Sequence, residues 1–418
     1  MTYRRAWIPA VVGGLVLAVL VWWAGASADA LELPGATEQF GIEGVRVLQG
    51  WLGPWTYELP TTLGEYGPPA DDRYRDLHEV SLQIRYATLV VCFLAGALLL
   101  MRRLPPVGAR RIWASFLAVW SWCVVSGMFA TALSAPWGIA ARGSGSYRFL
   151  ANLASSIGGS LHVVIGAGLV AAGVTVLVGG IAAKGADPLP QTIVRTGAAR
   201  LAASLGTAVI AVSLVILSYQ RVAAAIQEAG AAADVGDLVR QLLLMGGWSG
   251  PVEGMSTTWL LYRATDALVL VVVWFALRML PALLTRATFP ALMAGAICAT
   301  VLGLLLSQVV RAAVDGPDAY GALHAWTALG AGTPAAVVFG LLAGVVAAGV
   351  LRVAGRGHDP VREEPGPAEP SGPVQPTSSP ELSETSTPPT PSGPPQPSEP
   401  AQPAGPSKPD GGDPVPAG

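Results

Sequence analysis

The sequence predicts an all-α membrane protein: a polytopic transmembrane helix bundle of about eight spans, drawn as four outward-facing hairpins, with a disordered, Pro-rich C-terminal tail. Three observations predict it. Of the 418 residues, 52% are hydrophobic and only 12% are charged, where a soluble domain carries about 25% charged residues. The apolar residues gather in runs of about 20, the length that crosses a bilayer as a helix. Lys and Arg alternate between dense and sparse connections, the bias that orients membrane proteins.

The runs fall near residues 7–25, 84–101, 112–134, 161–183, 201–219, 267–284, 289–310 and 335–351. Thr333-Pro334 and Thr288-Phe289-Pro290 read as helix starts, because proline fits the first turn, where its missing N–H costs nothing.

Placing the N-terminus in the cytoplasm puts 14 Lys or Arg on the inner side, among them Arg4, Arg5, Arg102, Arg103, Arg110, Arg111, Arg286 and Arg352. The outer side holds 10, including Arg46, Arg85, Arg240, Arg263 and Arg311. The inner connections total roughly 55 residues and the outer ones roughly 150, so positive charge is about fourfold denser inside. The expectation is a plasma-membrane protein with both termini cytoplasmic and outer segments 26–83, 135–160, 220–266 and 311–334. The first run has a rival reading. Arg4, Arg5, an apolar stretch and Ala28-Asp29-Ala30 also form the pattern of a cleavable signal peptide.

A basic lead-in precedes each odd-numbered run, at Arg5, Arg111, Arg200 and Arg286, with intervals of 106, 89 and 86 residues. Tyr-x-x-Leu recurs before the second, fourth and eighth runs, at Tyr74, Tyr147 and Tyr320. Both suggest a repeated hairpin, an arrangement compatible with transport proteins but not diagnostic of them. In the first outer segment, Trp51, Trp55 and Tyr57 read as an interface-lying stretch. In the third, Gln220–Met245 reads as an amphipathic helix lying on the membrane or capping the bundle.

Charge within a span marks function by default, and the sixth run is the exception among otherwise clean spans. Arg263 and Asp266 lie at its outer end, three residues apart and so able to pair on one helix face. Arg278 lies further in, where its stem can snorkel to the inner interface. Gln308 and Arg311 end the seventh run, and Gln308 suits a hydrogen bond across helices. Arg263, Asp266 and Gln308 are therefore the candidate ligand or ion contacts. A second outer-side cluster consists of Asp76, His78, Glu79 and His324, N and O donors that a symmetric packing would bring together.

No local spacing matches a metal-binding, Walker or nucleophile-elbow motif. No metal and no cofactor are expected. Cys92, Cys123 and Cys298 sit in apolar runs without CxxC spacing and read as small core residues. The Gly340-x-x-x-Gly344 spacing reads as close helix packing. The net charge of -2 argues against nucleic acid as a partner. Sparse Lys and abundant Ala, Gly and Pro resemble the composition of a GC-rich bacterial genome.

Residues 357–418 are rich in Pro, Ser and Thr and hold too little apolar surface for a core, so they are expected to stay disordered. Pro388-Pro389-Thr390-Pro391 suits a partner with an aromatic groove. The expected partners are the lipid bilayer, other membrane proteins and a cytoplasmic partner of the tail. Three functions compete. The leading one is a non-enzymatic scaffold or subunit of a cell-envelope assembly. The second is a transporter or channel with a polar path around the sixth run. The third is an outer-face enzyme acting on a lipid-linked substrate.

Overall fold

The computed structural model describes residues 6–57, 72–106, 108–141, 149–159, 161–184, 196–229, 233–251, 256–285, 288–314 and 328–356. The tail at 357–418 lies outside them, as does His324. The described chain is all helix apart from one isolated β-bridge, and eight helices are long and apolar enough to span a membrane. Helices satisfy their own backbone polar groups, which is what a hydrocarbon environment demands.

The spans are α1 (Trp7–Ala26), α3 (Asp72–Arg103), α4 (Ala109–Ala141), α6 (His162–Ala182), α7 (Thr196–Ala211, continued as a π-helical stretch Val212–Leu217), α10 (Thr257–Leu283), α11 (Phe289–Val314) and α12 (Thr333–Arg356). Between them lie α2 (Pro34–Leu52, kinked at Gly41), α5 (Phe149–Gly159), α8 (Gln220–Ala229) and α9 (Ala233–Leu243). The N-terminal end of α1 marks the proximal end of the bundle, and α2, α5, α8 and α9 all belong to the distal end.

Several helices outrun their apolar runs. Helix α3 begins at Asp72 and α10 at Thr257, each well before the residues that hydropathy selects. Ser256 caps α10 by accepting a hydrogen bond from the Trp259 N–H at 3.2 Å, and such a cap sets the start independently of hydrophobicity. Helix α4 runs through Pro136 to Ala141. Thus Arg263 and Asp266, expected at the outer end of the sixth span, sit about two turns inside its helix.

The spans pack as two rings of four. In the first, α1 packs on α3 and α6, and α4 closes the ring against the same two. In the second, α7 packs on α10 and α12, and α11 closes it. The rings meet chiefly through α4 and α11. Leu17, Val21, Leu89, Phe93, Val119 and Val164 fill the first, and Ile210, Val269, Val273, Leu277, Val301 and Phe339 fill the second. Cys298 of α11 belongs to the first core and Val124, Val125 and Met128 of α4 to the second, so these two helices serve both. Large apolar residues such as Leu15, Val19, Val91, Leu177, Val271 and Phe275 point outward, as lipid-facing positions do.

Indole N–H groups tie α4 to both neighbours: Trp122 donates to the Cys92 carbonyl and Trp120 to the Ile165 carbonyl, each at 2.9 Å. Gly340 and Gly344 face the α11 backbone, where an added Cβ would lie 2.9 Å from the Ile297 Cα and 2.7 Å from the Met293 Cα. The two glycines thus do what their spacing predicts.

The distal layer departs from expectation in two places. The Trp51–Tyr57 stretch does not simply lie along an interface. Trp55 is completely buried beneath the Arg85 guanidinium, 5.6 Å from its ring, and Trp51 stacks on His162 at 5.1 Å. Gly25 makes the burial feasible, because any side chain there would strike the Trp55 carbonyl. The segment read as one helix, Gln220–Met245, is two helices folded on each other, α8 and α9, and α9 packs on α5 and α12. Leu244 and Met245, just past α9, are buried while Val235 and Leu242 stay exposed, so the segment caps the bundle, one of its two expected roles, with part of its apolar stripe uncovered.

Candidate functional site

A cavity of about 570 Å³ opens at the distal end of the second ring. Its walls come from α9, α10, α11, the π-helical end of α7 and the connection into α12. The sequence features that build each wall differ.

The α7 wall is a widened turn. Its Ser213 hydroxyl donates to the Leu243 carbonyl of α9 at 2.6 Å, and the Ser218 hydroxyl donates back to the Ser213 carbonyl at 2.8 Å. The Trp248 N–H donates to the Ser218 carbonyl, and the Gln220 N–H to the Trp248 carbonyl, forming the bridge that holds Gly246 and Gly247 at the cavity edge. π turns tend to occur at functional sites because they redirect one side chain. Leu214 of this turn lines the cavity.

The α12 wall depends on two glycines. Gly330 and Gly332 have φ of +85° and +77°, a region that L residues avoid. A Cβ at Gly332 would also strike the Met245 carbonyl. Gln308 clamps this turn: its amide N–H donates to the Ala331 carbonyl, and its amide oxygen accepts from the Gly330 N–H, both at 2.8 Å. Gln308 is thus the cross-segment tie that its position suggests, with both ends of its amide occupied.

The charged wall is formed by Asp266 and Arg311, with Arg263 completing a triad behind it. Arg263 pairs with one Asp266 oxygen at 2.7 Å, as the three-residue spacing predicts. Arg311, 45 residues further along the chain, pairs with the other oxygen, and its Nε–H donates to the Thr265 hydroxyl at 2.7 Å. Arg263 also lies 5.0 Å from the Trp248 ring and 6.0 Å from the Trp259 ring. Its charge is therefore held by a carboxylate and two aromatic faces. One carboxylate against two guanidiniums leaves the triad with one net positive charge. Arg240 of α9 lines the same cavity and adds another.

Sequence reasoning names Arg263, Asp266 and Gln308, and the fold gathers all three at this end of the second ring. It does not identify Arg311 as the partner of Asp266, or Arg240 as a lining residue. The only signal for Arg311 is an arginine at the distal end of an apolar run, with no hint of which helix it meets. Arg278 lies 5.2 Å from the Trp274 ring toward the proximal end, away from the triad.

The second candidate cluster does not assemble among the described residues. The His78 ring nitrogen lies 3.2 Å from the Thr56 carbonyl, exposed Glu79 accepts from Gln83 at 3.2 Å, and Asp76 is exposed on the same helix. His324 lies outside the described residues. Among those residues, no three His, Cys, Asp or Glu side chains converge as a metal site would require. No protein-family model, characterised protein or solved structure matches this chain.

Proposed function

We propose that this integral membrane protein is a non-enzymatic scaffold or subunit of a cell-envelope assembly, set in the plasma membrane with both termini cytoplasmic. One observation carries the reading. Below the distal cavity the second ring is closed by Val269, Val273, Leu277, Val301 and Leu304, all buried. The buried Thr300 hydroxyl donates to a carbonyl of its own helix, as does that of Ser307 at the cavity wall. A bundle packed this way serves as a rigid body that presents its distal layer. Purification from native membranes followed by mass spectrometry tests the proposal. Specific membrane partners are expected, and recovery of the protein alone refutes it.

A transporter is the second reading, favoured by the cavity lined by Asp266 and Arg311 and open at the distal end. It requires a second conformation in which Val269 and Leu304 separate. Disulfide-trapping α10 to α11 at that level would block flux if the reading is right and leave it unchanged if not.

We infer a repeat of four spans, present twice, in place of a hairpin present four times. The two rings share one packing order, first on second, second on third, third on fourth and fourth on first. Arg85 and Thr265 each lie 18 residues before the end of their helix, in α3 and α10. Each reaches the next span near its distal end: the Arg85 Nε–H donates to the Ser134 hydroxyl at 2.8 Å, and Thr265 accepts from Arg311. An experimental map in which residues 7–182 fail to superpose on 196–356 would refute the duplication.

A further inference from the structure

We propose that the distal cavity is a binding site for an amphipathic anion, a carboxylate or phosphate carried on a short apolar body. The charge balance sets the sign. Each oxygen of Asp266 is paired with a guanidinium, so the one acid among the described lining residues is outweighed by the two arginines it holds. Arg311, which lines the cavity, commits two of its five N–H donors to Thr265 and Asp266 and lies 5.9 Å from the Tyr262 ring, so three N–H donors are not taken up by those two bonds. Arg240 is exposed at the rim, with only a long 3.5 Å contact to the Gln227 amide oxygen and no carboxylate partner among the described residues. Two guanidiniums facing one space are an anion receptor, because the planar fork matches carboxylate and phosphate oxygens.

The remaining walls set the body. Leu214, Leu244, Met245 and Leu304 line the floor and one side. A cavity of about 570 Å³ falls in the range of roughly 300–1,000 Å³ that small ligands occupy. An adjoining recess of about 380 Å³ shares Arg240, Leu244, Gly246 and Gly247, so Arg240 stands where the two meet. The anionic group is placed at Arg240 and Arg311, with its apolar portion over the leucines. A free organic anion and the headgroup region of an anionic lipid share this chemistry.

The test uses the full chain in phosphatidylcholine nanodiscs. Octyl phosphate is titrated against tryptophan fluorescence, with octyltrimethylammonium as the charge-reversed probe. Saturable binding of octyl phosphate and none of the cation is expected. Arg240→Gln should weaken it at least about tenfold, the loss of one charge-assisted bond, with unchanged thermal stability because the residue is exposed. Leu244→Trp, which fills the floor, should abolish it. In a second arm, nanodiscs containing phosphatidylglycerol are examined by native mass spectrometry. Lipid retained by the wild type and lost in Arg240→Gln assigns the site to a lipid headgroup, whereas binding of octyl phosphate without lipid retention assigns it to a free anion. Equal binding of the cation, an unaffected Arg240→Gln variant, or no saturable binding in either arm overturns the proposal.

Discussion

Replacing Asp266 with Asn removes the charge between Arg263 and Arg311 while keeping the side-chain shape. Two contacts are affected, the 2.7 Å pair with Arg263 and the pair with Arg311. A hydrogen bond to a charged group contributes about 1.5–3 kcal/mol, and breaking a fully buried ion pair costs about 3–5 kcal/mol. The Asp266 side chain is 13% exposed and its partners 24% and 29%, so the lower part of that range applies. The amide oxygen of Asn also keeps one acceptor. The expected loss is about 2–3 kcal/mol, because two guanidiniums are left facing each other with only one neutral acceptor. An internal control is available. Arg46 and Glu43 form a pair of the same spacing at 3.0 Å, but their side chains are 73% and 53% exposed. Glu43→Gln should cost less than about 0.5 kcal/mol, since solvent screens an exposed pair. The assay is thermal unfolding of the purified protein in detergent, followed by size-exclusion of a fluorescent fusion. The double variant Asp266→Asn with Arg311→Gln should recover part of the loss by removing one uncompensated cation. Equal shifts for Asp266→Asn and Glu43→Gln would refute the reasoning, and so would a double variant that loses the full sum of the two singles.

Gly344→Leu should destabilise by about 1–3 kcal/mol through overpacking, since its Cβ would lie 2.7 Å from the Met293 Cα, while Gly349→Leu, with open space around it, should be near neutral; paired melting curves decide it. Gly332→Ala should cost about 1–2 kcal/mol from its left-handed backbone alone, with more from the collision with the Met245 carbonyl, whereas Gly180→Ala, which meets nothing, should not. Ser213→Ala should lose about 1 kcal/mol with its 2.6 Å bond to the Leu243 carbonyl, and hydrogen exchange should rise in α9 more than in α12. A topology reporter fused after Arg356 should read cytoplasmic, and an external signal there would reverse the proposed orientation.

The site was partly legible in the sequence because two of its features are local. Arg263 and Asp266 pair within one helix, and three-residue spacing alone predicts that. Gln308 is a lone amide at the end of an apolar run, which in a membrane protein calls for a partner across helices. The rest was illegible for definite reasons. Hydropathy cannot see that Ser256 starts α10 three turns early, since capping is independent of apolar content. It likewise missed the burial of Trp55, which depends on an absent side chain at Gly25 in a different element.

By itself the sequence determined the class and the spans. Bilayer thickness sets the length of an apolar run, and the backbone's need for internal hydrogen bonds makes each run a helix. It also determined that α12 offers a face for close helix packing, because small residues four apart leave one face of a helix bare. Only the tertiary structure decided which helices are neighbours and at what axial height. Apolar surfaces pack against many partners at nearly equal cost, so ring order is not written in any one span. That order brings Arg311 to Asp266 across 45 residues and turns Arg240, Leu214 and Gly332 toward one cavity. The second partner of Asp266 is visible only in the fold. Read from sequence, Asp266 was a candidate ligand or ion contact paired with Arg263; in the fold it also holds Arg311, so one carboxylate stands between two guanidiniums.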